Sequence, residues 1–234
     1  MQQKSRSPDL RPLFRVIFFI GIVVLLVIMA LPSASFRMGT EAANSLLQTS
    51  HGLAAAMFQY STDNNGNFPD GESSTEVFQK KLYPEYLTNP GYVFVNMAGK
   101  TKPADGQPLK PENVGYDVTG GINSNTPENL PLVFTTGYKV SYTAGQPAVP
   151  LGKSPPVYGG PPLTWSEWWQ GRAPAAPSTG LAVGFKDMSS AFFRFDPPDT
   201  QHPNGSVSNI IRGLFDPNGQ TYRQLTPDGS LSGN

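Results

Sequence analysis

The sequence predicts an α+β fold: a long N-terminal helix, apolar in its first part and amphipathic in its second, with a stripe for a sheet, followed by a loop-rich, largely β remainder. Three observations predict it. Residues 16–31 carry no charge and are almost wholly apolar. Residues 40–60 repeat apolar side chains at helical spacing. The 24 glycines and 24 prolines make up about a fifth of the 234 residues, against a usual share of roughly 12%. That excess favours a loop-rich, largely β remainder over a helical bundle. The length suits one membrane helix plus one domain of roughly 200 residues, enough to bury a core.

Composition also excludes function classes. Lys and Arg together number 17, as do Asp and Glu, so no basic excess points to a nucleic-acid partner. Cysteine is absent, which removes disulfides, zinc thiolate sites and thiol catalysis.

The first element is the run VIFFIGIVVLLVIMAL at residues 16–31; Leu13, Phe14 and Pro32-Ser33-Ala34 extend it to about twenty, the length that crosses a 30 Å hydrocarbon core. At roughly 0.8 kcal/mol per buried methylene, its transfer from water is worth tens of kcal/mol. Lys4, Arg6, Arg11 and Arg15 precede it, and over the next forty or so residues only Arg37 follows. The positive-inside rule places the N-terminus in the cytoplasm and the bulk outside. The expected organisation is a cytoplasmic tail (1–12), a transmembrane helix (13–34), an extracytoplasmic domain (35–215) and a turn-rich C-terminal tail (216–234). Localisation is then a bacterial inner membrane, single-pass, with the membrane itself as one partner. A cleaved signal peptide is the competing reading, with Ser33-Ala34-Ser35 as small residues before Phe36.

The second element starts at Thr40, a good N-cap, with Glu41 in the first turn. Ala43, Leu46, Leu47, Leu53, Ala54, Met57 and Phe58 form an apolar stripe for a sheet. Asp63-Asn64-Asn65-Gly66-Asn67-Phe68-Pro69 ends the helix with turn formers and a proline. The apolar and amphipathic stretches read as nearly continuous, interrupted only near Pro32 and Gly39.

This arrangement resembles the bacterial pilin-like proteins, the type IV pilins and the pseudopilins of type II secretion. More specifically, the helix ending at Tyr60, the turn Asp63 to Pro69, the run VFQKKLYPEYL at residues 77–87 and Phe94-Val95 are similar to pseudopilin-like proteins of planctomycetes and verrucomicrobia. The resemblance covers residues 13–97. It implies a helix laid on a small antiparallel sheet, and a structural role among other pilin-like subunits or secretion components. The chain departs from that family in lacking its prepilin cleavage motif. No glutamate occurs before Glu41, and Gly21 lies inside the apolar run.

Beyond the helix, strands are expected at residues 92–96, 132–135 and 138–142, the last two joined in a tight hairpin by Thr136-Gly137. Residues 96–129 read as a polar loop region, and 147–162 as no regular element. Residues 181–185 and 191–196 read as strands around a Lys186-Asp187 turn. Residues 207–215 are ambiguous between helix and strand.

The chemistry-bearing residues are few. Histidine occurs only at His51, placed at the wet edge of the helix, and at His202 in a proline-rich loop. No nucleophile elbow, phosphate loop, zinc helix or dinucleotide fingerprint is present, so no enzymatic activity and no cofactor are expected. Asp63, Asn65 and Asn67 have the alternate oxygen spacing of a calcium loop, but Ser74 stands where a bidentate glutamate belongs; a helix-ending turn is the preferred reading. Asp216, Asn218 and Asp228 form a second oxygen-rich stretch, where the resemblance to major pseudopilins implies a C-terminal calcium site and surface turns are the alternative. Trp165, Trp168 and Trp169 are all the tryptophans; exposed, they would stack on a sugar or partner, although packing a long loop on the sheet is preferred. The expectation is a membrane-anchored pilin-like structural subunit of an envelope assembly such as type II secretion. The alternatives are a secreted or anchored binding protein, for instance for carbohydrate, and an envelope hydrolase.

Overall fold

The computed structural model describes residues 11–142, 146–159, 178–207 and 221–231. It is a mixed structure of helix and antiparallel sheet, an α+β fold. The first helix, α1 (Arg11–Asp63), has 53 residues, about 80 Å at 1.5 Å per residue. Leu46, Ser50, Leu53, Ala54, Met57 and Ser61 are buried, a spacing of three and four that lays one face of the helix on the core. Of the apolar run, side chains are described for residues 19–26, and they are exposed. Among the described residues no helix is long and apolar enough to cross a membrane.

The helix ends in a Schellman motif. Gly66 N–H donates to the Ser61 carbonyl at 2.8 Å, and Asn65 (φ 56°) and Gly66 (φ 78°) take the left-handed conformation that reverses the chain. The following segment docks at once. Ser73 caps a one-turn helix, α2 (Ser74–Glu76), by accepting from Glu76 N–H, and the chain continues as a π-helical turn (Val77–Leu82). Ser74 Oγ donates to the Tyr116 carbonyl at 2.7 Å, and Thr75 Oγ1 to that of Pro227 at 2.7 Å.

The expected strand at 92–96 is not formed. Asn89 accepts from Gly91 N–H and Pro90 sits at the first position of a 3₁₀ turn, Pro90–Val93, because proline presets the turn dihedral. The region read as a polar loop holds instead a central strand, β1 (Tyr116–Gly120). The next strand, β2 (Pro131–Thr135), pairs with β1, aligning Val118 with Val133. The expected hairpin through Thr136-Gly137 is also absent. Gly137 (φ 102°) turns the chain out of the sheet, and β3 (Tyr138–Lys139) pairs with β4 (Val149–Pro150) as a separate ribbon.

The stretch expected to lack regular structure thus holds β4 and also β5 (Val157–Tyr158). These strands are two residues long, and Pro150 itself ends β4. β6 (Ser178–Phe185) and β7 (Ser190–Arg194) form a hairpin in which Leu181 faces Phe193. Of the ambiguous segment 207–215, Val207 makes a bridge to Ala148 and the rest lies outside the described residues. The segment read as a tail contributes an edge strand, β8 (Arg223–Leu225), paired with β1. The sheet order is β5-β6-β2-β1-β8, with β7 on β6. Helix α1 covers one face, where Gly184 lies against Ser50 and Ala54. The β3–β4 ribbon lies over the other, tied to it through Tyr142 on Thr119 and Tyr138 on Gln224.

Candidate functional site

Two features of the described structure carry functional content: the exposed apolar stretch of α1 and a buried polar cluster under the β3–β4 ribbon. Phe19, Ile20, Ile22, Val23, Val24, Leu25 and Leu26 are exposed, from 38% at Ile22 to 66% at Phe19. They form no polar face, so water contacts apolar side chains around the helix. Further along the same helix, Leu53, Ala54 and Met57 are fully enclosed by the sheet. One element therefore has two environments: a domain core at its C-terminal end and exposed apolar side chains at residues 19–26.

The buried cluster centres on Asp117 of β1, which has no exposed surface. Its Oδ2 accepts from Gln224 Nε2 at 2.6 Å. The same nitrogen donates to the Tyr138 carbonyl at 2.6 Å, and Gln224 Oε1 accepts from Val140 N–H at 2.9 Å. One amide thereby joins β1, β8 and the β3 segment. The next rung along β1 is a bond between the Thr119 and Tyr142 hydroxyls, at 2.8 Å. Asp117 Oδ1 makes no well-formed hydrogen bond, although the Thr136 hydroxyl lies near enough to favour its charged form. Burial dominates and pushes the carboxyl up to about 7, against the opposing pull of Thr136 and Gln224. Burial likewise pushes the Tyr142 phenol up.

Two open grooves flank α1. One, of about 660 Å³, is bounded by Gln48, His51, Tyr86 and Tyr92. Its polar groups are largely engaged: Tyr86 Oη donates to Asp63 at 3.1 Å, and His51 Nδ1 lies 2.6 Å from the Met188 carbonyl. The other, of about 480 Å³, includes Phe58, Phe68 and Lys186. The Lys186 ammonium donates to the carbonyls of Ser124 and Thr126 and lies 5.9 Å from the Phe68 ring centre. It pins the β6–β7 turn to the loop before β2, and burial lowers its proton affinity.

The residues singled out from sequence are dispersed. Asp63 accepts from Tyr86, Asn65 holds the left-handed position, and Asn67 Nδ2 donates to the Asn64 carbonyl at 3.1 Å. These three serve the helix end and the loop after it. Asp228 Oδ1 accepts from Thr226 Oγ1 at 2.8 Å and from Ser230 N–H at 3.1 Å. Partial burial raises that carboxyl, but the bonds from Ser230 and Thr226 together outweigh it and hold it below the ordinary carboxylate range. Asp216, Asn218, Trp165, Trp168 and Trp169 lie outside the described residues. Among the described residues no group of three or more His, Asp or Glu side chains is placed to hold a metal ion.

His202 contacts Asp199, the ring nitrogen 3.4 Å from the carboxylate, and among the described residues neither histidine hydrogen-bonds a serine. Sequence reading missed Asp117 and Gln224. The available signal was a carboxylate between Tyr116 and Val118 in a β-compatible stretch, hidden by the polar residues around it. No protein-family model, no curated protein and no solved structure matches this chain.

Proposed function

We propose that the chain is a membrane-anchored, pilin-like structural subunit of an envelope assembly such as a type II secretion pseudopilus, with its sheet domain outside the cytoplasm. The observation that carries this reading is the pair of environments along α1. Seven large apolar side chains between residues 19 and 26 stay exposed, at a cost on the order of 5–10 kcal/mol if left in water, while the same helix is buried in the sheet from Leu46 onward. A bilayer, or a bundle of equivalent helices, removes that cost. Lys4, Arg6, Arg11 and Arg15 ahead of the run set the orientation. The helix then acts as anchor and assembly element, and the loop-rich sheet presents the outward surface. The resemblance of residues 13–97 to pseudopilin-like proteins supports the same role.

The test uses the absence of cysteine. A full-length chain carrying Ile22→Cys as its sole thiol is expressed in a bacterial envelope, fractionated, and treated with a bifunctional thiol reagent. The expected result is an intact chain in the membrane fraction that crosslinks to other copies or to secretion components through residue 22. A soluble chain beginning near Ser35 or Phe36 would overturn the anchor. A membrane chain that stays monomeric at residue 22, with a Phe58→Cys control giving the same pattern, would overturn the assembly role.

A further inference from the structure

Asp117 stands where three separate parts of the sheet layer meet. Its own strand, β1, lies between β2 and β8. Strands β3 and β4 pair with each other, and beside β4 Ala148 exchanges main-chain hydrogen bonds with Val207; the described attachments of the β3 segment to β1 and β8 run through side chains. Gln224 supplies two of them, to the Tyr138 carbonyl and the Val140 N–H, and it is held in place by Asp117 Oδ2. A neutral carboxyl buries no charge: its carbonyl oxygen accepts the Gln224 proton, and its O–H, on Oδ1, has the Thr136 hydroxyl nearby. An ionised one leaves negative charge on Oδ1, which has no well-formed donor, and a buried charge of this kind is costly.

We infer that Asp117 is a pH-responsive latch: in its neutral form it fastens the β3–β4 ribbon and edge strand β8 to β1, and in its ionised form it loosens both. The groups around it set the balance. From β8 comes Gln224, and from the turn after β2 the Thr136 hydroxyl. Lys100, from the loop before β1, favours the charge, while Asp228, beyond β8, opposes it. Lys100 is itself partly desolvated and donates to the Pro111 carbonyl at 2.8 Å, which limits the compensation it offers. Arg223, next along β8, is committed to Asp70 at 2.9 Å. The phenols of Tyr142 and Tyr158 share the region, and burial keeps both neutral. The carboxyl, held at about 7 by its burial, therefore changes charge within the range that the outside of a bacterial membrane experiences, and it does so at the joint of three strands.

The test is made on the full chain in detergent micelles, with aspartate carboxyl carbons labelled for NMR and amide exchange read between pH 5 and 9. The expected result is an Asp117 midpoint at least two units above its ordinary value. With it, the amide exchange of Val140, corrected for base catalysis, accelerates by up to about tenfold for each unit of pH below that midpoint and levels off above it. The amide of Leu53 on α1 serves as the reference and stays more protected than Val140 at every pH. In Asp117→Asn, which keeps an oxygen for Gln224 but no titrating group, Val140 exchange loses its pH dependence. An Asp117 midpoint within one unit of the ordinary carboxylate value would overturn the latch. So would Val140 exchange that tracks Leu53 at every pH. The carboxyl titration and the Leu53 comparison come from the unsubstituted chain, so they decide the matter even if the variant does not fold.

Discussion

Gly184 of β6 lies directly under the Ser50 carbonyl of α1: a methyl group at Gly184 would overlap that oxygen and stand 3.0 Å from both Ala54 Cβ and Val133 Cγ1. Backbone meets backbone at this point, and both strand and helix are held there by packing on either side. Gly184→Ala is expected to destabilise the domain by about 1–3 kcal/mol, the usual cost of overfilling a packed contact. Gly52, on the outer side of the same helix, has open space where a methyl group would stand, so Gly52→Ala is expected to stabilise by up to about 1 kcal/mol through helix propensity. Urea unfolding of the two variants checks both signs. A neutral Gly184→Ala would mean that the helix does not seat as closely as described.

The helix end depends on two left-handed residues. Gly66 faces Ser124, whose Cβ would be 3.0 Å from an added methyl. Gly66→Ala therefore meets both backbone strain and a contact, with an expected loss of about 1–2 kcal/mol. Asn65→Gly is expected to be neutral within a few tenths of a kcal/mol, since it only relaxes the same φ. Were Asp63, Asn65 and Asn67 calcium ligands instead, millimolar calcium would raise the melting temperature by mass action, and Asn65→Gly would remove that rise. The expectation is no calcium-dependent shift in either protein, read by thermal melts with and without a chelator.

Adjacent residues of β8 separate two kinds of polar contact. Arg223 pairs with Asp70 at 2.9 Å, but both side chains are 39% exposed, so Arg223→Met is expected to cost under about 1 kcal/mol, and less in high salt. Gln224 is buried, and Gln224→Ala strands Asp117 Oδ2, the Tyr138 carbonyl and the Val140 N–H. That change is expected to cost about 2–4 kcal/mol. Chemical denaturation of both variants at low and high salt tests the ordering, and an Arg223→Met cost exceeding that of Gln224→Ala would reverse the assignment of the buried hub.

The global stability should carry the signature of Asp117. Its carboxyl is at about 7 in the folded protein against 3.8 ordinarily, so the folded state holds a proton that the unfolded chain releases. The stability this provides is complete below about pH 4 and is lost as pH rises toward 7. It levels off beyond that, for a total on the order of 4 kcal/mol. Asp228, depressed in the fold, acts in the opposite direction and only as pH falls below the ordinary carboxylate range. Denaturation midpoints between pH 4 and 8 should therefore decline in the unsubstituted chain and stay nearly flat in Asp117→Asn. Parallel curves for the two proteins would assign the decline elsewhere.

Periodic and capping signals were legible in the chain by itself. The stripe at Leu46, Leu53, Ala54 and Met57, the turn formers from Asp63 to Pro69, and the short apolar runs around Leu181 and Phe193 on either side of a turn each depend on neighbours a few residues away, so local chemistry is enough to read them. The α+β class followed from those signals and from the glycine and proline excess. What only the tertiary structure decided lies in contacts across long separations. β1, written Tyr-Asp-Val-Thr-Gly, mixes three strand formers with Asp and Gly in a polar, turn-rich setting, and becomes a central strand because β2 and β8 close on it from both sides. The apparent hairpin at Thr136-Gly137 opens because β6, not β3, takes the far edge of β2. Asp117 and Gln224 are 107 residues apart, and no local pattern marks either as a partner for the other. Their meaning comes from burial, which removes the water that would otherwise make a lone carboxylate unremarkable.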